Sequence, residues 1–142
     1  MTKKAVFLAA VLTLVLGIAA VSQTPAAPKH HVVFQLTEGP GSAWNVLEPH
    51  VTNTRAALAK DGGSQAEVVF YGAGLNMLKK TNTEYEARLK TLADAGVTLA
   101  ACQNAMKMMN VKSEDLFPFV TEVDSGIAEL VRKQEAGWAY IH

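Results

Sequence analysis

The stretch "VTLAACQNAM" (97–106) decides the predicted fold, because it joins a buried strand directly to a helix. "VTLAA" (97–101) is a short apolar run of strand length, and "CQNAMKMMN" (102–110) has the composition of a short helix. Cys102 is the only cysteine of the chain and lies at the junction. Ligands and reactive groups gather at the carboxyl ends of parallel strands, so Cys102 is a candidate site residue.

The same alternation of strand and helix patterns continues on both sides of this stretch. Alternating strands and helices predict right-handed crossovers and a parallel sheet with helices on both faces. Besides 97–101, strands are predicted at 31–37, 66–74, 117–123 and 138–142, and longer helices at 43–60, 83–95 and 126–136.

Local signals mark the ends and inner faces of these helices. Thr83 and Glu86 have the spacing of a capping box, and Ser125 is a good N-cap for the last helix. Helical spacing predicts inward faces formed by Leu47, Val51, Thr54 and Leu58, by Tyr85, Leu89 and Leu92, and by Ile127, Leu130 and Val131.

The amino-terminal segment has the three parts of a secretory signal peptide. Two lysines precede an apolar run at 5–21, and Ala20 and Ser22 stand at the −3 and −1 positions of a cleavage before Gln23. An uncleaved membrane anchor is the alternative, because the run is at the short end of what spans a bilayer. We therefore expect a periplasmic protein that meets the membrane only through its export signal.

The remaining chain divides into a short linker and one domain. Residues 1–22 form the predicted signal peptide, residues 23–30 a flexible Pro/Ala linker, and residues 31–142 a single α/β domain. Removing the signal leaves 11 basic residues against 13 acidic ones, and no basic block is longer than two residues. These features exclude nucleic acid as an expected partner.

Neither a metal nor a cofactor is expected from the spacing of polar residues. The four histidines lack metal-ligand spacing. The glycine pairs at 39–41 and 72–74 each follow a predicted strand, but both lack the remaining residues of a phosphate-binding loop. Tight turns explain them, and we expect these turns to shape the rim of a pocket near Cys102.

The chemistry of Cys102 has three interpretations that the residues alone leave open. Unpaired amides at a helix start favour a thiolate, which is the nucleophile that attacks a disulfide or accepts sulfane sulfur. A thioredoxin-type mechanism is disfavoured, because Ala105 occupies the place of the second cysteine in C-x-x-C. The alternatives are a structural cysteine in the wall of a binding module and a redox sensor that forms an intermolecular disulfide.

Three stretches together resemble the DsrE/DsrF-like proteins, especially their exported single-domain branch. They are "VFYGAGLNML" (69–78), "AGVTLAACQNAM" (95–106) and "DLFPFVTEVDSGIAELVRKQEAGWAYI" (115–141). The resemblance covers residues 31–142. It implies a three-layer α/β/α sandwich around a mainly parallel five-stranded sheet, assembled into trimers or hexamers.

The resemblance also implies a function and a set of site residues. Relatives accept sulfur as a persulfide on a cysteine after a central strand and pass it along a relay. The implied function is therefore periplasmic sulfur handling on Cys102, with a sulfur donor or acceptor protein as partner. The alternative is a non-catalytic oligomeric binding module in which Cys102 is structural. Other positions that look recurrent in the branch are Asn104, Gly72, Gly74, Asn53 and Gly126.

Overall fold

A computed structural model describes residues 26–142, which form an all-parallel five-stranded sheet with the order β4-β3-β2-β1-β5. This confirms the predicted α/β fold. The elements in chain order are β1 His30–Leu36, α1 Ser42–Leu58, β2 Ser64–Phe70, α2 Thr83–Asp94, β3 Thr98–Cys102, α3 Gln103–Met108, β4 Thr121–Val123, α4 Gly126–Glu135 and β5 Ala139–Ile141. Short 3-10 helices lie at Ala59–Asp61, Gly72–Leu78 and Ser113–Asp115.

The strand order explains how the helices divide between the two faces of the sheet. From β1 to β4 each strand is added on the same side of the previous one, so right-handed crossovers place α1, α2 and α3 on one face. The connection from β4 to β5 runs back across the whole sheet, so α4 lies on the other face. Among the described residues, the result is a three-layer α/β/α fold with three α-helices on one face of the sheet and one α-helix on the other.

The larger core lies between the sheet and the first three helices. Alternate residues of the central strands face it, among them the fully buried Val68 and Phe70 of β2. Trp44 of α1 is also fully buried and packs on the Phe70 ring, with 6.2 Å between ring centroids. The predicted inward faces of α1 and α2 are largely confirmed: the buried helix residues include Leu47, Val51, Tyr85, Leu89 and Leu92.

The opposite face of the sheet holds a smaller core and a buried ion pair. Val33, Val69, Ala100 and Leu130 form its apolar centre. Glu67 of β2 is only 4% exposed, and Lys133 of α4 lies 2.7 Å from its Oε2.

The ammonium of Lys133 also lies over the Trp138 ring, 4.1 Å from the centroid. Burial raises the pKa of Glu67, while the hydrogen bond and charge of Lys133 act in the opposite direction.

Two predicted strands are shorter than expected. β2 ends at Phe70, and "GAG" begins a 3-10 helix because the chain turns tightly under the end of β1. β4 starts only at Thr121. The Phe117 amide donates a hydrogen bond to the Leu78 carbonyl instead of to a neighbouring strand. Pro118 has no N–H group that could donate to a neighbouring strand.

Two local predictions about helices are wrong. Asn82 is the N-cap of α2 and makes no side-chain cap hydrogen bond, whereas Thr83 is already helical, so the predicted capping box does not form. Ile127 and Val131 are 56% and 47% exposed, because α4 crosses a sheet that it contacts mainly through Leu130.

The predicted signal peptide at 1–22 lies outside the described residues, as does the start of the predicted linker at 23–30. Residues 26–29 have no regular structure, and β1 begins at His30. Between residues 26 and 142, no helix has the length and apolar composition needed to cross a bilayer.

Candidate functional site

Cys102 is the last residue of β3 and the N-cap of α3, as the sequence predicts. β3 lies between β2 and β4, so the thiol stands at the carboxyl end of an interior strand. The residue is only 5% exposed. Cys102 lines one cavity, which is described below.

Two backbone amides from the starts of two helices donate hydrogen bonds to the sulfur of Cys102. The Gly126 amide lies 3.1 Å from Sγ, and the Ala105 amide lies 3.5 Å from it. The strand register explains the first contact: Cys102 pairs with Val123 of β4, and α4 begins three residues later. Both amides lie in the first turn of a helix, where N–H groups have no hydrogen-bond partner within the helix. Such donors favour a negative charge on the acceptor.

A cavity of about 520 Å³ opens beside this sulfur. It is bounded by the turn after β2, by α3 and by the start of α4. Its lining consists of Tyr71, Gly72, Ala73, Asn76, Cys102, Asn104, Ala105, Met108, Met109, Ser125, Gly126 and Ile127. The described lining contains no arginine, lysine, histidine, aspartate or glutamate, and most of the surface is apolar.

Tyr71 forms one wall of the cavity and stays neutral. Burial is the main factor that raises the pKa of its phenol, with smaller contributions from neighbouring acidic groups. The hydroxyl donates a hydrogen bond of 2.6 Å to Oε1 of Gln35, which holds the ring in place. Tyr71 was not among the predicted site residues, although its position directly after a strand is a signal that could have identified it.

Gly126 has a steric reason to lack a side chain. A Cβ at this position would lie 3.0 Å from Cβ of Tyr71 and 3.1 Å from its Cδ1. The absence of a side chain therefore allows the start of α4 to lie against Tyr71. Ser125, the predicted N-cap, accepts a hydrogen bond of 3.3 Å from the Ala128 amide and fixes the start of α4.

Gln103 and Asn104, the polar pair after Cys102, have their side chains in different surroundings. Asn104 is exposed and lines the cavity next to Cys102. Gln103 turns away and donates a hydrogen bond of 3.0 Å to Glu122 of β4. Hydrogen bonds from Ser113 and Gln103 lower the pKa of Glu122, so this carboxylate anchors α3 to the edge of the sheet.

The other predicted site residues have different positions. Gly72 lines the cavity and has a φ of 53°, which favours glycine. Gly74 is buried beneath the end of β1, where an added Cβ would overlap the carbonyl oxygen of Leu36, so its role is packing. The structure does not bring Asn53 to Cys102: it lies on α1 and lines another cavity, beside His30 and Ala139.

Within residues 26–142, no group of three or more histidine, cysteine, aspartate or glutamate side chains could hold a metal ion. The described site consists of the Cys102 thiol, two amide donors and a mainly apolar wall. A cysteine sulfur in such a place can act as a nucleophile toward another sulfur atom.

Comparisons with known proteins agree with this architecture. The model of the DsrE/DsrF-like family matches residues 30–142. Among solved structures, the chain is similar to the protein of unknown function MTH1491 from Methanobacterium thermoautotrophicum, with 32% identity and a TM-score of 0.68. The similarity covers 79% of this chain and 97% of that one. A comparison with curated proteins gives no match. The chain belongs to the DsrE/DsrF-like family.

Proposed function

We propose that this protein carries sulfane sulfur as a persulfide on Cys102. The observation that carries the proposal is the pair of amides, from Gly126 and Ala105, that donate to the sulfur at the edge of a cavity. Such donors stabilise an anionic sulfur, which is the form that accepts and holds a further sulfur atom. Membership of the DsrE/DsrF-like family supports the same chemistry, because it suggests a fold of the sulfur-relay type.

The proposed reaction is a sulfur transfer without net oxidation. The Cys102 thiolate attacks the outer sulfur of a donor R–S–SH, and a new S–S bond forms as the donor's S–S bond breaks. R–S⁻ leaves with the electron pair, and the product is Cys102–S–SH. In the return step an acceptor thiolate attacks the outer sulfur, and Cys102 leaves as a thiolate again.

Location and assembly belong to the same proposal. The signal-peptide pattern at 1–22 supports export to the periplasm. Met108 and Ile127 line the cavity and are 89% and 56% exposed, and Val131 lies one turn further along α4. Exposed apolar side chains of this kind support a partner surface, either with copies of this chain or with a sulfur donor or acceptor protein.

Mass spectrometry of the intact protein tests the proposal. The purified protein is incubated with sodium polysulfide, freed of reagent and compared with the Cys102→Ser variant. We expect the wild type to gain about 32 Da, the mass of one sulfur atom at the single thiolate. The variant should gain nothing. A wild type whose mass stays unchanged contradicts the proposal.

The non-catalytic alternative has its own expected result. If Cys102 is only a small residue in the wall of a binding cavity, polysulfide and alkylating reagents should both react more slowly with the native chain than with the urea-unfolded chain. Covalent dimers that form under mild oxidation would instead favour the redox-sensor interpretation.

A further inference from the structure

The cavity beside Cys102 differs from the usual environment of an anion-binding site. Its described lining lacks arginine, lysine, histidine, aspartate and glutamate, and its surface is predominantly apolar. Met108, Met109 and Ile127 supply the largest apolar side chains of the wall. The phenol ring of Tyr71 adds a further neutral surface, and burial raises the pKa of its hydroxyl above the ordinary value of 10.0.

Two cations lie near this wall but are not among the residues that line the cavity. The Lys79 ammonium donates a hydrogen bond of 3.1 Å to Oδ1 of Asn76, whose residue lines the cavity, while Lys79 itself does not. Lys107 of α3 is exposed and lines a different depression, next to Glu114 and Glu122. A charged carrier in contact with these lining residues would lose water without gaining an ion pair from them, which is unfavourable.

Resting on the proposed function, we propose that the sulfur donor of this site is an organic persulfide whose carrier group is uncharged and apolar. In the transfer step the protonated donor R–S–SH occupies the cavity with R against Met108 and Ile127. Its outer sulfur, with its proton, moves to Cys102 as the S–S bond of the donor breaks, and R–S⁻ leaves with the electron pair. The cavity volume of about 520 Å³ accommodates a small aromatic or branched alkyl group.

Competing donors test the selectivity. Benzyl hydropersulfide is the probe with an uncharged carrier group, and glutathione persulfide is the probe with a charged one. The rate of sulfur addition to Cys102 is measured for each by intact mass, and is divided by the rate of the same donor with the urea-unfolded chain. This division removes the intrinsic reactivity of each donor. We expect the normalised rate to be about tenfold or more higher for the benzyl donor, from the cost of moving charges into an apolar wall.

A charge placed at the mouth of the cavity sharpens the test. Met108→Lys adds a cation at a residue that is 89% exposed, so the fold should tolerate it. We expect this variant to reduce the preference for the benzyl donor several-fold, because an ammonium now attracts the carboxylates of glutathione. Val46→Lys is the matched control: Val46 is 55% exposed on α1, lines a different depression and should leave the preference unchanged.

The outcomes separate this inference from the proposed function. If polysulfide, benzyl hydropersulfide and glutathione persulfide all fail to modify Cys102, the persulfide function itself is wrong. If Cys102 is modified but the normalised rates are equal, or favour glutathione persulfide, the function stands and the inferred donor class is overturned. An equal effect of Met108→Lys and Val46→Lys would also contradict the role of the cavity wall.

Discussion

The amide of Gly126 lies 3.1 Å from the sulfur of Cys102, although the two residues are 24 positions apart in the chain. β3 and β4 are adjacent and parallel, so the helix that follows β4 begins beside the end of β3. The site is thus a direct product of strand order. Changes that move the start of α4 should change the reactivity of the thiol.

Gly126→Ala should disturb this contact. The added Cβ would lie within 3.0–3.2 Å of three atoms of Tyr71, whose ring is held by its hydrogen bond to Gln35. We expect the variant to lose about 1–3 kcal/mol of unfolding free energy, the usual range for overpacking, and to accept sulfur more slowly. Urea denaturation and the rate of mass gain with polysulfide measure the two effects.

Gly39→Ala is the matched control for that substitution. A Cβ at Gly39 would have only an ordinary contact of 3.7 Å with the carbonyl oxygen of Ala73. This variant should keep the stability and the sulfur-loading rate of the wild type. If Gly126→Ala behaved in the same way, the steric account of Gly126 would be refuted.

Gly74→Ala should affect folding much more strongly than sulfur chemistry. The new Cβ would overlap the backbone of Leu36, which cannot move aside without breaking the end of β1. We expect a loss of about 3 kcal/mol or more, at the upper end of overpacking costs. Unfolding in urea checks the loss. A stable variant would mean that the turn after β2 can shift away from β1.

Replacing the cysteine separates its structural role from its chemistry. Cys102→Ala removes the acceptor of the Gly126 and Ala105 amides, whereas Cys102→Ser keeps an oxygen acceptor. Buried donors without partners cost about 1–3 kcal/mol, so the alanine variant should be the less stable of the two in urea denaturation. Equal stabilities would show that the two amides find other partners.

The ion pair of Glu67 and Lys133 predicts a pH dependence of stability. Burial raises the folded-state pKa of Glu67 above 4.5, its ordinary value. The folded state therefore holds the proton more tightly than the unfolded state does. The stability that this protonation contributes is fully present below the unfolded pKa and is lost as the pH rises through the folded pKa.

Glu67→Gln removes this titration. We expect the unfolding free energy of the wild type, relative to that of Glu67→Gln, to fall as the pH increases from about 4 to 8. Urea denaturation of both proteins across this range measures the difference. A difference that grows with pH would mean that the attraction of Lys133 outweighs the burial of the carboxylate.

Apolar runs and helical periodicity are local signals, and they predict the succession of strands and helices and the place of Cys102. The exposure of Ile127 and Val131 was not predicted, because the pattern of α4 cannot show how much of a sheet one helix must cover. Tyr71 was not predicted as a site residue either. The contacts of Tyr71 with Gln35 and Gly126 join three separate segments, and only the tertiary structure brings these segments together.

The predicted glycines and Asn53 also show that a sequence pattern does not reveal which residues meet in the folded chain. Gly72 and Gly126 border the cavity, whereas Gly74 has a packing role and Asn53 lies in a different cavity. A recurrent position in a sequence does not distinguish a residue that touches a ligand from one that allows two backbones to approach each other.

The most direct test of the central claim is a complete loading and release cycle followed by intact mass. The protein is first loaded with sodium polysulfide, then freed of reagent and mixed with an acceptor thiol. We expect a gain of about 32 Da, one sulfur atom on the Cys102 thiolate, followed by its loss to the acceptor and a second gain on reloading. A chain that gains no sulfur, or that cannot release and regain it, would contradict the account of Cys102 as a sulfur carrier.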